Sequence, residues 1–301
     1  MIKNNVSAVI VTYFPDLLHL KQLIEKIDPQ VNQVIICDNS SANLDIHGFV
    51  NKNIKVTNSK VKIFKFNENL GIGEAQNKGM EWAYANNANF VLHLDQDSMP
   101  DLNLVKNLIN SYYKLIKLDY NVGLLGSTYK EKISNKLHEK SRWYYQKSID
   151  QNNAYSTNSF LISSGTLIPK LTYKKIGQIE SNLFIDLVDF EYCWRAAKFN
   201  LSVHLVRQAR IENSVGKGIK KVFFNLYEIM HSVPIREYYL TRNTIILAKR
   251  NYVPLIWKVI NLSRIVIRLI LNPIFLDNGF LRIKYIFVGI YHGLTSKTGK
   301  Y

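Results

Sequence analysis

Phe90-Val91-Leu92-His93-Leu94-Asp95-Gln96-Asp97 is the stretch whose reading decides the fold. Its five leading residues are too few for a buried helix and suit a short strand covered on both faces. The run ends in two carboxylates one residue apart. In an open parallel sheet, ligands bind beyond the carboxyl ends of the strands, so this spacing puts hard oxygen ligands at the binding rim. Such oxygens suit Mg²⁺ or Mn²⁺ shared with substrate phosphates. Asp-x-Asp alone is common in solvated turns; its place at a strand end is what points to chemistry.

Upstream, the same pattern repeats. Val6–Thr12 is a β-branched run stopped by Pro15-Asp16, and Leu17, Leu20, Leu23, Ile24 and Ile27 then recur at helical spacing. Val34–Asp38 and Lys62–Phe66 read as two more strands, with a helix predicted over 74–86. Alternating strands and helices with apolar strands predict an α/β fold, a mostly parallel central sheet with helices on both faces. Downstream, strands are expected at Val122–Ser127 and Phe160–Ile168, a helix at Asp189–Lys198 and extended chain at Leu201–Ile211. Lys130–Asn153 is polar and reads as a long loop. No internal repeat is visible.

The chain has 301 residues, 47% hydrophobic, enough to bury a full core. Cys37 and Cys193 are far apart, in no metal-ligand spacing, and read as buried thiols. No secretory signal is apparent, since the early apolar run is too short. Lys and Arg number 39 against 23 Asp and Glu, a formal charge of +16, so an anionic partner is expected. After Glu237 the only acidic residue is Asp277, which makes the tail basic and apolar together and favours a lipid surface over nucleic acid. A nucleic-acid-binding protein would need a positive stripe interleaved with aromatics and a recognised module, and neither is present.

Three further segments carry chemistry. The loop Asn67–Gly79 sets Gly71 and Gly73 at a strand-to-helix turn, where backbone amides can approach a phosphate or ribose. Its glycine spacing is not the dinucleotide fingerprint. Phe184–Arg195 holds Asp186, Asp189 and Glu191 in an apolar stretch, which is costly unless they have a task or a partner. Asp189 could accept a proton from a hydroxyl, and Glu191 and Arg195 have the i, i+4 spacing of a helical pair. Arg236, Tyr238, Tyr239 and Arg242 form a basic-aromatic cluster that could grip a diphosphate or pack the linker.

Ala8–Tyr13, Cys37-Asp38-Asn39-Ser40, Asn69-x-Gly71 with Asn77-x-Gly79, and Asp95-Gln96-Asp97-Ser98 together resemble family two glycosyltransferases of GT-A fold. Ser164-Gly165, Asp186…Asp189-x-Glu191…Arg195, Pro234-x-Arg236-x-Tyr238-Tyr239-x-x-Arg242-Asn243 and Gly289…Gly293 are similar to the bacterial rhamnosyltransferase branch, which builds surface polysaccharides. The resemblance implies a nucleotide-sugar pocket lined by Thr12, Tyr13, Asp38, Asn69, Gly71, Asn77 and Asp95. It implies a divalent cation, Mg²⁺ or Mn²⁺, at Asp95 and Asp97, and Asp189 as catalytic base of an inverting transfer. Ser164, Gly165, Asp186, Glu191, Arg195, Arg236, Tyr238 and Arg242 are the candidates for the acceptor or diphosphate. The implied donor is dTDP-L-rhamnose, with a UDP-hexose or UDP-galactofuranose as alternative, and the acceptor is a lipid-linked saccharide. Where relatives carry a histidine before x-x-Gly, this chain has Asn213, so Asn213 or His231 would complete the metal site.

Residues 1–230 are thus expected to form the catalytic domain and 231–301 a basic helical appendage. Over Leu255–Leu271 the polar residues Lys258, Asn261, Arg264 and Arg268 recur every three or four positions, the pattern of an amphipathic helix. Pro273 and Asn278-Gly279 break it before a second such segment, Phe280–Leu294. The arginines interrupt any span of ~20 apolar residues, so the reading is attachment at the inner face of a membrane rather than crossing. A helical pair packed on the catalytic domain, or a protein partner such as a second copy, are the alternatives. A non-catalytic membrane scaffold is the remaining class.

Overall fold

The computed structural model describes residues 4–40, 44–54, 60–131, 137–138, 146–148, 154–213, 219–222, 227–230 and 232–301. His231 and most of the polar excursion 130–153 lie outside them. The first half is a β/α alternation: β1 (Val6–Thr12), α1 (Leu17–Ile27), β2 (Gln33–Asp38), α2 (Ile46–Asn53), β3 (Lys60–Lys65), α3 (Ile72–Ala85) and β4 (Phe90–Asp95). Then come β5 (Ser98–Pro100), α4 (Leu104–Lys117), β6 (Val122–Glu131), β7 (Leu137–His138), β8 (Gln146–Ser148), β9 (Tyr155–Asn158), β10 (Thr166–Pro169) and α5 (Lys170–Ile176). The rest is α6 (Val188–Lys198), β11 (Ser202–Asn213), the hairpin β12 (Ile219–Val222) and β13 (Tyr227–Met230), and the helices α7 (Ile235–Ala248), α8 (Leu255–Phe275) and α9 (Gly279–Leu294).

The large sheet has the order β3-β2-β1-β4-β10-β6-β11-β9-β8. Its first four strands are parallel, as expected. The sheet as a whole is mixed rather than mostly parallel, because β10 runs antiparallel to both β4 and β6. Side chains alternate across the pleat. Ala8 and Ile10 join Leu92, Leu94, Leu20 and Leu23 in the core on one face, while Val9 joins Ile35, Val91, Ala75 and Met80 on the other.

The strand expected over 160–168 begins only at Thr166. Gly165, at φ +79°, breaks the extended backbone, and its N–H donates to His93 O at 2.8 Å. Ser163 N–H likewise turns to a side chain, that of Asp189 (3.1 Å). Pro273, expected to end α8, sits inside its last turn, and the helix closes with Leu276 N–H on Asn272 O at 2.9 Å.

Candidate active site

The parallel registers place the site residues at one rim. Thr12 aligns with Asp38 and Val11 with Asp95, so β1, β2 and β4 end side by side. Thr12 Oγ1 donates to Asp38 Oδ1 (2.9 Å), as does Ser40 N–H (3.0 Å). Asp38 is fully buried, and its Oδ2 has no partner among the described residues. A ligand N–H or O–H would satisfy that oxygen, since a buried carboxylate seeks donors. Tyr13 is clipped through its backbone: its N–H donates to Gln96 Oε1 (2.7 Å) and its carbonyl accepts from Gln96 Nε2 (3.2 Å). Its ring stays half exposed beside Phe14.

The glycine loop is held by amide side chains. Leu70 N–H donates to Asn39 Oδ1 (3.1 Å), Asn39 Nδ2 to Gly71 O (3.2 Å), and Gly71 N–H to Asn69 Oδ1 (2.9 Å). Gly71 has φ +84°, and a Cβ there would lie 2.5 Å from Phe184 O. Gly71→Ala should therefore lower stability by about 1–3 kcal/mol and weaken donor binding more than acceptor binding. Denaturant unfolding and donor titration check this.

Asp95, Asp97, Asp186, Asp189 and Arg236 form one electrostatic group. Burial first, then the charges of Asp97 and Asp189, push Asp95 up to about 7, against the pull of Arg236. Burial also raises Asp97. Asp189 is pushed up to about 6 by burial, against the N–H donors of Phe190 (2.9 Å to Oδ1) and Ser163 (3.1 Å to Oδ2). Asp186 takes both its oxygens to the Arg236 guanidinium. The loop before α6 is strained: Phe184, Asp186 and Leu187 all have φ near +65° (66°, 64° and 66°). Left-handed backbone in non-glycine residues costs ~1–2 kcal/mol each and gathers at functional sites.

One tripeptide joins the two halves of the group. Ser163 N–H holds Asp189, Ser164 Oγ accepts from Asp95 N–H (3.2 Å) and bonds Ser98 Oγ, and Gly165 turns onto β4. Behind Asp189 lies a cavity of ≈ 20 Å³, lined among others by Gln76, His93, Ser163 and Cys193. His93 Nε2 and Gln76 Oε1 are buried there without a partner among the described residues. Its size and polarity suit one water molecule.

Several expected site residues are placed elsewhere. Asn77 is spent on the fold: its amide exchanges hydrogen bonds with Ile179 N–H (2.8 Å) and O (2.9 Å), so it does not line the nucleotide pocket. Tyr238 is buried with its hydroxyl on His292 Nδ1 (2.9 Å). Arg242, fully buried, donates to Leu183 O and Gly299 O and cannot grip a diphosphate. Glu191 and Arg195 do pair, at 2.9 Å, but Arg250 and Tyr252 also take Glu191, which makes this a structural network rather than an acceptor contact. Ser164 is buried and positions Asp95, so it acts from behind the site. Asn213 pairs with Ser98 through the backbone; its side chain, like His231, is outside the described residues. Gln96, Asn39 and Ser163 were not singled out as site residues, because a side chain bonded to main chain, or a main-chain N–H bonded to a carboxylate, carries no chemical signature.

Among the described residues no three His, Cys, Asp or Glu side chains converge as a closed metal cage. Asp95 and Asp97 nonetheless fit a cation shared with phosphates: hard oxygens, crowded enough to raise Asp95, whose repulsion a positive charge would relieve.

The sequence profile of glycosyl transferase family 2 matches residues 7–177. The dTDP-rhamnosyl transferase RfbF of Shigella flexneri is 29% identical over 265 residues, which cover 84% of this chain and 83% of that protein. The S. aureus TarS 1-349 structure in complex with UDP-GlcNAc superposes with TM-score 0.60 at 11% identity, over 96% of this chain and 81% of that one. GalNAc-T7 with UDP, GalNAc and Mn²⁺ gives 0.57 at 13% identity over 84% of this chain, which spans about half (52%) of that longer one. With the mixed sheet and the rim of carboxylates, these likenesses establish a GT-A fold. The chain belongs to glycosyl transferase family 2 and is a rhamnosyltransferase-like glycosyltransferase.

Proposed function

We propose that the protein transfers L-rhamnose, with inversion, from dTDP-L-rhamnose to a lipid-linked saccharide in surface polysaccharide synthesis. The observation that carries this reading is the convergence of Asp95 and Asp97, at the strand rim, with the half-buried, raised carboxylate of Asp189. Asp189 removes the proton from the acceptor hydroxyl as that oxygen attacks the anomeric carbon. The bond from that carbon to the diphosphate oxygen breaks, and its electron pair leaves with the nucleoside diphosphate. Raised near 6, the Asp189 carboxyl is a better base than an ordinary aspartate and is still ionised at neutral pH. Asp38 and the Asn69–Gly71 loop would orient the nucleoside, and Arg236 would lie on the diphosphate side. A divalent cation held by Asp95 and Asp97, with Asn213 or His231 as a third ligand, would neutralise charge on the leaving group.

Residues 1–230 would carry catalysis, and 231–301 would bring the enzyme to the inner membrane face where such acceptors reside. The donor preference rests on the dTDP-rhamnosyl transferase relative, while the structural neighbours hold UDP species. A panel of sugar nucleotides with Mn²⁺, read by thermal shift and product mass, tests it. Stabilisation and turnover with dTDP-L-rhamnose are expected; response to UDP-hexoses or UDP-galactofuranose alone would replace rhamnose with that sugar.

A further inference from the structure

The outer face of α8 is unusual for a protein surface. Leu255 (73% exposed), Ile256, Val259 (62%), Leu262, Val266 (58%), Ile270 and Ile274 (68%) all face solvent. Steps of three and four residues put them in one stripe, while Trp257, Ile265 and Asn272 are buried on the opposite side. Single exposed apolar residues are ordinary, but a continuous aliphatic stripe along a helix of 21 residues, ~32 Å long, is a patch that calls for a partner. No helix among the described residues is long and apolar enough to cross a bilayer, so the stripe suits lying along a surface.

We propose that this face of α8 docks the enzyme on an anionic lipid bilayer, the aliphatic stripe entering the headgroup boundary. The proposal rests on the lipid-linked acceptor reading and gives it a location on the molecule. Charge selects the occupant. Beyond Glu237 the sole carboxylate side chain is Asp277, and it is bonded to Arg282 at 3.0 Å. Lys258 and Arg264 lie on α8 itself. On α9, exposed Lys284 stands in one row with exposed Phe280, Phe287, Tyr291 and Leu294. A second copy on this face would set cations against cations, whereas anionic headgroups complement them.

The face is rigidly tied to the chemistry. On the inner side of α8, Trp257 packs edge-on against Trp194 at 4.7 Å. Trp194 belongs to α6, whose second residue is Asp189, five residues and ~7.5 Å along the helix. Arg268 of α8 and Arg282 of α9 both reach Glu237 of α7 at 3.6 Å, locking the three helices together. Docking through α8 therefore sets the height of the base above the lipid, which suits an acceptor whose reactive sugar sits a fixed distance from its lipid.

The test uses the full chain and a triple variant, Val259→Glu, Val266→Glu and Ile270→Glu, all at exposed positions away from the active site. Co-sedimentation is measured with phosphatidylcholine vesicles, with and without phosphatidylglycerol. Turnover on a water-soluble acceptor and circular dichroism control for folding. Expected is pelleting of the wild type with anionic vesicles only, a loss of at least about tenfold in the variant, and unchanged turnover on the soluble acceptor. Equal pelleting of variant and wild type would overturn the proposal. So would a wild-type dimer in analytical ultracentrifugation that the variant abolishes without any vesicle effect, which would assign the face to a second copy. Failure of the donor panel would strike the rhamnosyl reading and leave the vesicle result standing.

Discussion

Asp189→Asn should lower kcat by about 10²–10⁴-fold, the scale of a lost general base, with donor KM within a fewfold of wild type. The argument is geometric. Both Asp189 oxygens are fixed by main-chain donors, Phe190 and Ser163, and an asparagine can keep one of those bonds, so the structure survives while proton acceptance is lost. The pH dependence follows from the same environment. A base held near 6 by burial works as the carboxylate, so kcat/KM of the wild type should rise with pH through about 6 and flatten above it. Stability runs the other way. A carboxyl whose folded pKa is raised contributes stability that is fully present below its unfolded value and is lost as pH rises through about 6. Asp189→Asn should accordingly melt a few degrees above wild type at neutral pH, with the gap closing toward pH 4. A variant that retains wild-type kcat would remove Asp189 from the reaction; steady-state kinetics and calorimetry across pH decide.

The second large effect belongs to the rim. Asp95→Ala and Asp97→Ala should each reduce turnover by about 10²–10³-fold, the order seen when a preorganised electrostatic group is lost, and should abolish metal-dependent donor binding together with it. Asp95 is raised by burial first and then by the charges of Asp97 and Asp189, so Asp97→Ala should lower the Asp95 carboxyl only part of the way. The two losses must travel together. Calorimetric titration of donor with and without Mn²⁺, beside the kinetics, distinguishes loss of cation binding from misfolding. Undiminished Mn²⁺-dependent donor affinity in both variants would refute the metal assignment.

The parallel half of the sheet was legible because its strands are short apolar runs punctuated by polar rims, and strand alternation leaves little choice. The placement of Asp95 and Asp97 at the strand rim was legible for the same reason. Chemical residue type says nothing, however, about whether a side chain faces the cleft or the backbone behind it. Asn77 and Arg242 stand in motifs and end up buried in hydrogen bonds to main chain, while Gln96 and Ser163 sit in the site without a distinguishing pattern. Helix α7 lies inside the helical region expected over 231–301, but its bounds were not legible, because its buried positions include Glu237, Thr241, Arg242, Asn243 and Thr244 in place of an apolar stripe. The break expected at Pro273 falls two residues later, after Phe275, with the proline inside the last turn.

Consecutive residues Ser163 and Ser164 hold the Asp189 side chain and the Asp95 main chain respectively, so on the proposed mechanism one short spacer would set the gap between leaving-group side and attacking side. Bond-making and bond-breaking atoms would thereby be gauged against the same short piece of backbone. Evolution of a new acceptor or donor in this scaffold would have to resculpt the surrounding walls while leaving that ruler untouched.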